Sequence, residues 1–371
     1  MANTIAGRLL FSTMVLLAAS AADLGATTIN LLPISSATDH IGDGSSTSIA
    51  ALGAMQRAAN TWESILLDNI VINLWVDFEY LAPNVLADST PSIASASYAT
   101  EFLPQVAAHL TTTYDPFLAN LPSGTVPVNL PAGMSFSGNI SLSYANAKAL
   151  GYTNGFLTTC DLNAPPAPGQ SACDGVIRLG RGLPFDFDNT NGVVGYDLEG
   201  IAMHEIGHAL GFFSDVDTVD FMLHTNQTGP VSMSVLDLYR FANCQISCTT
   251  PEPNSLSTFK TATRDMTTAD PAVFAAVDPA LGLNDRFGMS QGYYTGDGYQ
   301  ASHWKNQVSP IGLMNPTVAA NQTMVLTDAD KRAMGALGYQ LLLVPEPGSL
   351  VLMSSGCIAV ILIGRRRRAQ A

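Results

Sequence analysis

The stretch HEIGHALGFFSDVD, residues 204–217, carries the side chains of this chain that are best suited to chemistry. His204 and His208 are four residues apart, so on a helix they lie on one face, about 40° apart around the axis, and both can reach one metal ion. Glu205 is placed to take a proton from a water that the ion activates. The pattern predicts a zinc site that hydrolyses peptide bonds. A solvated helix with two unconnected histidines is the alternative.

A catalytic zinc ion normally has three protein ligands, so a third side chain is needed. Gly211 is predicted to end the helix, because glycine readily adopts the positive φ of a helix terminus, and the chain can then turn away. Four side chains further along are candidates for the third ligand: Asp215, Asp217, His224 and His303. Spacing alone does not choose among them.

The pattern HExxHxxG resembles that of the metzincin metalloproteases, whose third ligand usually lies three residues after the glycine. That position is Ser214 here, and a serine hydroxyl is a poor zinc ligand. His303 in SHW, however, is followed eleven residues later by Met314 in GLMNP. HEIGHALGF, a long intervening segment, SHW and this methionine together resemble the leishmanolysin family of metzincins, in which an insertion precedes the third histidine.

The resemblance covers the helix and roughly residues 302–340, and the 91 residues 212–302 form the insertion. It implies three zinc ligands: His204, His208 and His303. It also implies Glu205 as the catalytic base and Met314 in a turn beneath the metal. A surface histidine beside Trp304 and ordinary core packing of Met314 are the alternatives. The implied fold is α+β, a metzincin-like zincin domain with a twisted mixed sheet, a zinc-binding active-site helix, a Met-turn and a C-terminal helix.

Hydrophobic periodicity predicts the elements that must position these residues. The elements predicted before the zinc helix are a helix in 46–69, a strand in 70–81, a helix around 97–110, short strands near 138–150 and a strand at 175–180. After the methionine, Thr327 and Asp330 form a T-x-x-D capping pattern that predicts a closing helix up to Gly338. Residues 27–343 are therefore interpreted as one catalytic domain, with an insertion at about 215–300.

Both ends of the chain carry sorting patterns. Residues 1–26 have one positive charge at Arg8, an apolar run and small residues, which is typical of a secretory signal peptide cleaved near Ala21 or Ala26. A buried first helix is the alternative. Residues 344–371 resemble the PEP-CTERM sorting signal of Gram-negative bacteria, because an uncharged segment and a block of arginines follow a characteristic triplet: Pro345, Glu346 and Pro347. The resemblance implies an exosortase as partner, transient membrane anchoring, and a final location at the cell surface or in the extracellular matrix.

Charge restricts the partners of the chain between these ends. Without the two ends, 11 basic and 28 acidic residues remain, a net charge near −17. This charge argues against nucleic acid and anionic membrane surfaces as partners, and favours solubility outside the cell. The protein or peptide substrate is predicted from the zinc pattern. The acidic runs at 185–192 and 215–220 could bind calcium, with solvated turns as the alternative.

The five cysteines fit an exported protein. Their positions predict two local disulfides, Cys160 to Cys173 and Cys244 to Cys248, while Cys357 lies in the tail. A zinc site built from the four thiolates is the alternative, although neither pair has the usual spacing.

The favoured interpretation is an exported zinc-dependent endopeptidase. A surface or matrix adhesion protein that retains an inactive protease fold is the alternative from a different class, and the intact Glu205 argues against it. A third interpretation makes Asp217 the metal ligand and His303 incidental.

Overall fold

The computed structural model describes residues 26–342, except for 36, 114, 116, 154–159, 168–169, 244–252 and 279–282. The predicted signal peptide, the tail with Pro345, Glu346, Pro347 and Cys357, and the Cys244 to Cys248 disulfide fall outside the described residues. Within the described ranges, no helix combines the length and the apolar character needed to cross a membrane.

Helices and strands contribute almost equally, at 28% and 25% of the described residues, so the predicted α+β class is confirmed. The described α-helices are α1 (Ser46–Glu63), α2 (Leu103–His109), α3 (Tyr144–Ala149), α4 (Leu198–Ala209), α5 (Val216–His224), α6 (Leu256–Thr261) and α7 (Asp328–Ala336). The described strands are β1 (Thr28–Pro33), β2 (Val71–Glu79), β3 (Ala87–Pro91), β4 (Ile93–Ser97), β5 (Val128–Asn129), β6 (Met134–Ser143), β7 (Gly175–Gly180), β8 (Phe185–Asp186), β9 (Tyr196–Asp197), β10 (Gly229–Ser234), β11 (Arg240–Ala242), β12 (Arg264–Asp265), β13 (Ala272–Asp278) and β14 (Leu283–Met289).

A twisted four-stranded sheet in the order β1, β2, β7, β3 supports the histidine helix. Strands β1, β2 and β7 are parallel, whereas β3 runs antiparallel at one edge. Helix α1 turns a stripe of small buried residues toward α4, so the two helices can pack closely. Trp62 at the end of α1 is fully buried and donates a hydrogen bond from Nε1 to Met203 O at 2.9 Å. This hydrogen bond joins α1 to the residue immediately before His204 on α4.

The opposite face of the sheet carries a smaller apolar cluster. Trp75 and Val176 point away from the main core, since side chains alternate along a strand, and they pack near Cys160 and Cys173. The disulfide between Cys160 and Cys173 is present, so this predicted pairing is confirmed.

The insertion is joined to the rest of the fold through its strands. Strand β10 pairs in parallel with β6, and β12 pairs in parallel with β5, so the insertion adds to strands that precede α4. Strands β11, β13 and β14 form an antiparallel sheet of their own. Phe274 from this sheet and Trp304 lie in the same hydrophobic core as α1 and α4. The insertion therefore shares the core of the domain.

Most predicted elements lie where the sequence places them. The strand at 175–180 has the predicted bounds, and the strand in 70–81 is β2. The first helix ends earlier than predicted, because Leu66 already bridges to Leu341 near the end of the described chain. The strands predicted near 138–150 are only half right. Strand β6 ends at Ser143, whose hydroxyl accepts a hydrogen bond from Asn146 N at 3.1 Å and so starts helix α3.

Candidate metal centre

Helix α4 carries the HEIGH pattern and buries nearly all of its residues. Asp197 caps its start, since the carboxylate accepts hydrogen bonds from Gly200 N at 3.1 Å and from Met324 N at 3.0 Å. The helix ends just before Gly211, whose φ of 116° favours glycine. A Cβ at Gly211 would also lie 3.1 Å from the Cβ of Asn146. The predicted helix end at Gly211 is confirmed.

The side chains of three histidines meet beside α4. The Nε2 atoms of His204 and His208 are 3.1 Å apart. The Nε2 atom of His303, which lies far along the chain, is 3.2 Å from that of His204 and 3.3 Å from that of His208. Among the described residues, this is the one group of three or more histidine, cysteine, aspartate or glutamate side chains whose ligand atoms gather at a common point.

The second ring nitrogen of each histidine lies against a backbone carbonyl oxygen. The three pairs are His204 Nδ1 with Leu313 O at 2.8 Å, His208 Nδ1 with Phe212 O at 2.6 Å, and His303 Nδ1 with Gln300 O at 3.2 Å. Because a carbonyl oxygen only accepts hydrogen bonds, each Nδ1 carries a proton and donates a hydrogen bond to the carbonyl. Each Nε2 is then unprotonated and presents a lone pair. Three lone pairs thus point at one position, an arrangement that is repulsive unless a cation lies between them.

The spacing of these nitrogens suits a tetrahedral zinc site. Bonds from zinc to imidazole nitrogen are about 2.0–2.1 Å long, so two such ligands at a tetrahedral angle stand about 3.3 Å apart. The observed Nε2 separations of 3.1, 3.2 and 3.3 Å are close to this value. Three nitrogen ligands would leave one tetrahedral position for water or substrate.

Burial keeps the three imidazoles neutral. It lowers the pKa of His204, and it lowers the pKa of His208 to about 3, with a smaller contribution from the neighbouring His204. The pKa of His303 falls well below its ordinary value, first because of burial and then because of the other two histidines. Neutral imidazole is the form that binds metals, so the group is ready to act as ligands at physiological pH.

Glu205 follows the first histidine on α4 and has only 6% of its surface exposed. Burial raises the pKa of its carboxyl group to about 8, and the negative charge of Asp88 on strand β3 adds to the effect. A carboxyl group whose pKa lies near neutrality can take up and release a proton, as general acid and base catalysis requires. A cation held by the histidines would lower this pKa, because it favours the charged carboxylate.

Met314 packs against α4 at Gly207. Its Sδ atom lies only 2.5 Å from the position that a Cβ atom of Gly207 would occupy, so the absence of a side chain there admits the methionine. Met314 O accepts a hydrogen bond from Trp304 N at 2.9 Å, and Trp304 directly follows His303. The methionine therefore contacts the helix that carries two of the histidines and the segment that carries the third.

None of the other candidates for the third ligand belongs to the histidine group. The carboxylate of Asp217 accepts hydrogen bonds from residues 301 and 302. Burial, followed by the nearby Asp237, raises the pKa of Asp215 to about 7. The ring of His224 stacks on Tyr294 with ring centroids 4.3 Å apart. The Asp217 interpretation thus gains no support from the geometry.

The acidic runs associated with calcium direct their carboxylates to the backbone. Asp186 accepts hydrogen bonds from the backbone N–H groups of residues 188 and 194, and Asp188 accepts one from Thr190. Asp220 accepts from the N–H groups of residues 294 and 295. In the part of the chain that the structure describes, these carboxylates do not gather into a group of three. Calcium binding stays a prediction.

Sequence reasoning assigned Asp330 to helix capping alone and missed its second role. The capping box of Thr327 and Asp330 is confirmed, but the carboxylate also accepts hydrogen bonds from Leu313 N, Met314 N and Trp304 Nε1 at 2.8, 3.1 and 2.8 Å. Gly312 makes room for it, since a Cβ there would crowd the carboxylate oxygens. In the sequence, the glycine two residues before Met314 is the one indication that another group approaches the backbone closely at this point. Asp330 thereby places the carbonyl of Leu313 that orients His204.

In comparisons with protein-family models, curated proteins and solved structures, nothing matches this chain. An interpretation of the centre accordingly depends on the positions and protonation of its own side chains. Those side chains provide three convergent imidazole lone pairs and, from the residue after His204, a buried carboxyl group with a raised pKa.

Proposed function

We propose that the chain is a zinc-dependent endopeptidase of the leishmanolysin-like metzincin type. One observation carries the proposal: three Nε2 lone pairs, each oriented by a backbone carbonyl on the other ring nitrogen, converge at one point. Glu205, the residue after His204 on the same helix, adds a buried carboxyl group. His204, His208 and His303 would hold the ion. The mixed sheet, the histidine helix, the turn at Met314 and the closing helix α7 are compatible with such a domain.

Zinc is the metal that best suits this ligand set. Three neutral imidazoles with one open position are typical of catalytic zinc, although imidazole also binds copper, iron and nickel. When bound, zinc would polarise the scissile carbonyl group and lower the pKa of a water molecule to near 7.

Glu205 would move the proton in the reaction. Its carboxylate would take a proton from the water that attacks the carbonyl carbon, and would then deliver it to the nitrogen of the departing amine as the C–N bond breaks. The carboxylate is restored at the end of each cycle. The raised pKa of Glu205 favours the first step, because a carboxylate of higher pKa is a stronger base, and the carboxylic acid that forms is still acidic enough to donate to an amine.

Strand β3 is the surface on which a peptide substrate would lie. It pairs with β7 along one edge, and no strand among the described residues pairs with its other edge. The strand also contacts α4, which carries Glu205. An extended peptide can add to an open edge through backbone hydrogen bonds, so β3 would align the scissile bond without demanding a particular sequence.

The test compares wild-type protein with Glu205→Gln. We expect wild-type protein loaded with zinc to hydrolyse casein, and Glu205→Gln to retain one zinc per chain while its hydrolysis falls by a factor of about 100 or more. Equal hydrolysis by the two proteins would contradict the role of Glu205. A wild-type protein that binds zinc without hydrolysing any of a panel of proteins would favour the adhesion alternative.

We further propose that the protein is exported and that an exosortase processes its tail near Pro345, Glu346 and Pro347. The support is the sequence pattern described above. Mass spectrometry of the C-terminus of exported protein, produced in a Gram-negative host with an exosortase, should show a terminus near the triplet. An intact Ala371 terminus in that host would contradict processing.

A further inference from the structure

His303 has no regular element to position it. Residues 300–305 contain neither a helix nor a strand, and the regular contact of this segment is an isolated bridge between Met289 and Trp304. Its ring is nevertheless held close to those of His204 and His208. The position of the third imidazole therefore depends on the core packing of Trp304 and on hydrogen bonds made by the segment, one of which joins Ser290 N to His303 O at 3.0 Å.

Asp217 supplies several of these hydrogen bonds. Its carboxylate accepts from Ala301 N at 2.6 Å, from Ser302 N at 3.1 Å and from the hydroxyl group of Ser302. These three donors belong to the two residues immediately before His303. Asp217 lies in the first turn of helix α5, which follows the histidine helix directly.

The hydroxyl group of Ser302 connects Asp217 to the loop between α4 and α5. While it donates to Asp217, it accepts a hydrogen bond from Ser214 N at 2.9 Å. Ser214 is the residue at which the simple metzincin spacing would place the third ligand. Its own hydroxyl donates to Asp237 at 2.6 Å, which fixes it in turn. The residue at the expected ligand position thus holds the segment that carries the replacement ligand.

We propose that Asp217 is a positioning residue of the metal centre, which sets the third imidazole through Ala301 and Ser302 and does not itself bind the metal. The inference rests on the proposed function insofar as it takes the three histidines to be metal ligands. On this proposal the insertion contributes to the metal centre, because α5, its first helix, carries the carboxylate that holds His303 close to His204 and His208.

The experiment measures the zinc dissociation constant of the full chain by competition with a chromophoric chelator. For Asp217→Asn we expect zinc binding about 10–100-fold weaker than in the wild type, the range typical of residues that orient metal ligands. The absorption spectrum of the cobalt-loaded variant should match that of the wild type, because the three nitrogen ligands are retained.

Asp77→Asn is the matched control. Asp77 is buried and also accepts a backbone hydrogen bond, from Ile41 N at 3.1 Å, but its partners His40 and Ile41 make no contact with the histidine group. This variant should bind zinc with the wild-type constant. If Asp217→Asn fails to fold, Ser302→Ala takes its place, since it loses only the bridging hydroxyl and should weaken zinc binding about 3–10-fold.

The outcomes separate this inference from the proposed function. Wild-type affinity in folded Asp217→Asn, or in Ser302→Ala where that variant is used, overturns the positioning role and leaves the zinc site intact. A changed cobalt spectrum in Asp217→Asn would make Asp217 a ligand and also overturn the role. A wild-type chain that binds no zinc removes the proposed function itself, and with it the premise of this inference.

Discussion

Two regions supply the histidine group, and they do so in different ways. The helical periodicity of α4 places His204 and His208 on one face, so the relative position of the two rings is determined within five consecutive residues. The segment 300–314 presents His303 with little regular structure and is fixed by the carboxylates of Asp217 and Asp330. One half of the site is encoded locally, whereas the other half depends on contacts between distant parts of the chain.

The difference shows what the insertion has to achieve. Bringing together the ends of a flexible loop of 91 residues would cost roughly 4 kcal/mol in chain entropy. The insertion is not such a loop, because β10 pairs with β6 and the insertion shares the core with α1 and α4. Its two ends are placed by the fold, and the carboxylate contacts then set His303 within that frame.

The largest expected effect comes from removing a ligand on either side of this comparison. We expect His208→Ala and His303→Ala each to lose bound zinc at micromolar free metal and to lower kcat/KM for a peptide by more than about 100-fold, since even residues that only orient ligands are worth 10–100-fold. Metal analysis after dialysis and a peptide assay measure both effects.

His224→Ala is the control for the ligand variants. His224 was a candidate third ligand, but its ring stacks on Tyr294 and is absent from the histidine group. We expect wild-type zinc content and activity in this variant. Zinc loss in His224→Ala together with full zinc content in His303→Ala would reverse the assignment of the third ligand.

The next largest effect is expected on the distant half of the site. Asp330 is fully buried and accepts hydrogen bonds from the backbone and from Trp304 Nε1, so Asp330→Asn would place an N–H group against N–H donors. We expect the free energy of unfolding of the zinc-free protein to fall by about 3 kcal/mol. Urea denaturation measures it. Asp328→Asn in the same turn, whose exposed carboxylate forms an ion pair with Lys331, should change it by less than about 0.5 kcal/mol. Equal losses in the two variants would show that Asp330 contributes nothing beyond its charge.

The same division explains how far the sequence could predict the molecule. The positions of α4 and β7, and the cap of α7 by Thr327 and Asp330, follow from local periodicity and capping, and all are confirmed. The pairing of β10 with β6 joins residues almost a hundred positions apart, and no local pattern specifies such a partner.

The third histidine shows the same limit in the site itself. Spacing left Asp215, Asp217, His224 and His303 as candidates, and only a family resemblance favoured His303. The role of Asp217 was beyond reach, because it depends on which N–H groups the fold leaves facing its carboxylate. Its acidic side chain predicts a metal ligand, whereas in the structure its carboxylate accepts hydrogen bonds from backbone N–H groups.

A smaller effect is expected within the local half of the site. Gly207→Ala would place a Cβ 2.5 Å from Met314 Sδ in a fully buried position, and overpacking of this kind typically costs about 1–3 kcal/mol. Gly53→Ala in α1 is the matched control, because the nearest atom to its Cβ would be 3.8 Å away, on Arg57. That substitution should stabilise the protein by about 0.5–1 kcal/mol, since alanine favours the helix. Thermal and urea unfolding measure both, and stabilisation by Gly207→Ala would show that Met314 does not pack against the helix as described.

An effect confined to a pH window concerns Asp68, another carboxylate that joins distant segments, here by accepting a hydrogen bond from Gln340 N at 3.0 Å. Burial raises its pKa from 3.8 to about 7. Between about pH 4 and 7 the folded protein therefore binds a proton that the unfolded chain has released, so this residue makes the free energy of unfolding fall as pH rises through that window.

Asp68→Asn removes this titration and tests whether the buried carboxyl group of Asp68 is held as a neutral acid. Relative to the wild type, the variant should gain stability on the order of 1–3 kcal/mol as pH rises from 4 to 7, with no further gain above pH 8. Urea denaturation at pH 4.5, 6, 7 and 8 measures the difference. A difference that stays constant with pH would mean that Asp68 is charged in the folded protein. Its contact with Gln340 would then resemble those of Asp330, in which several donors stabilise a carboxylate away from water.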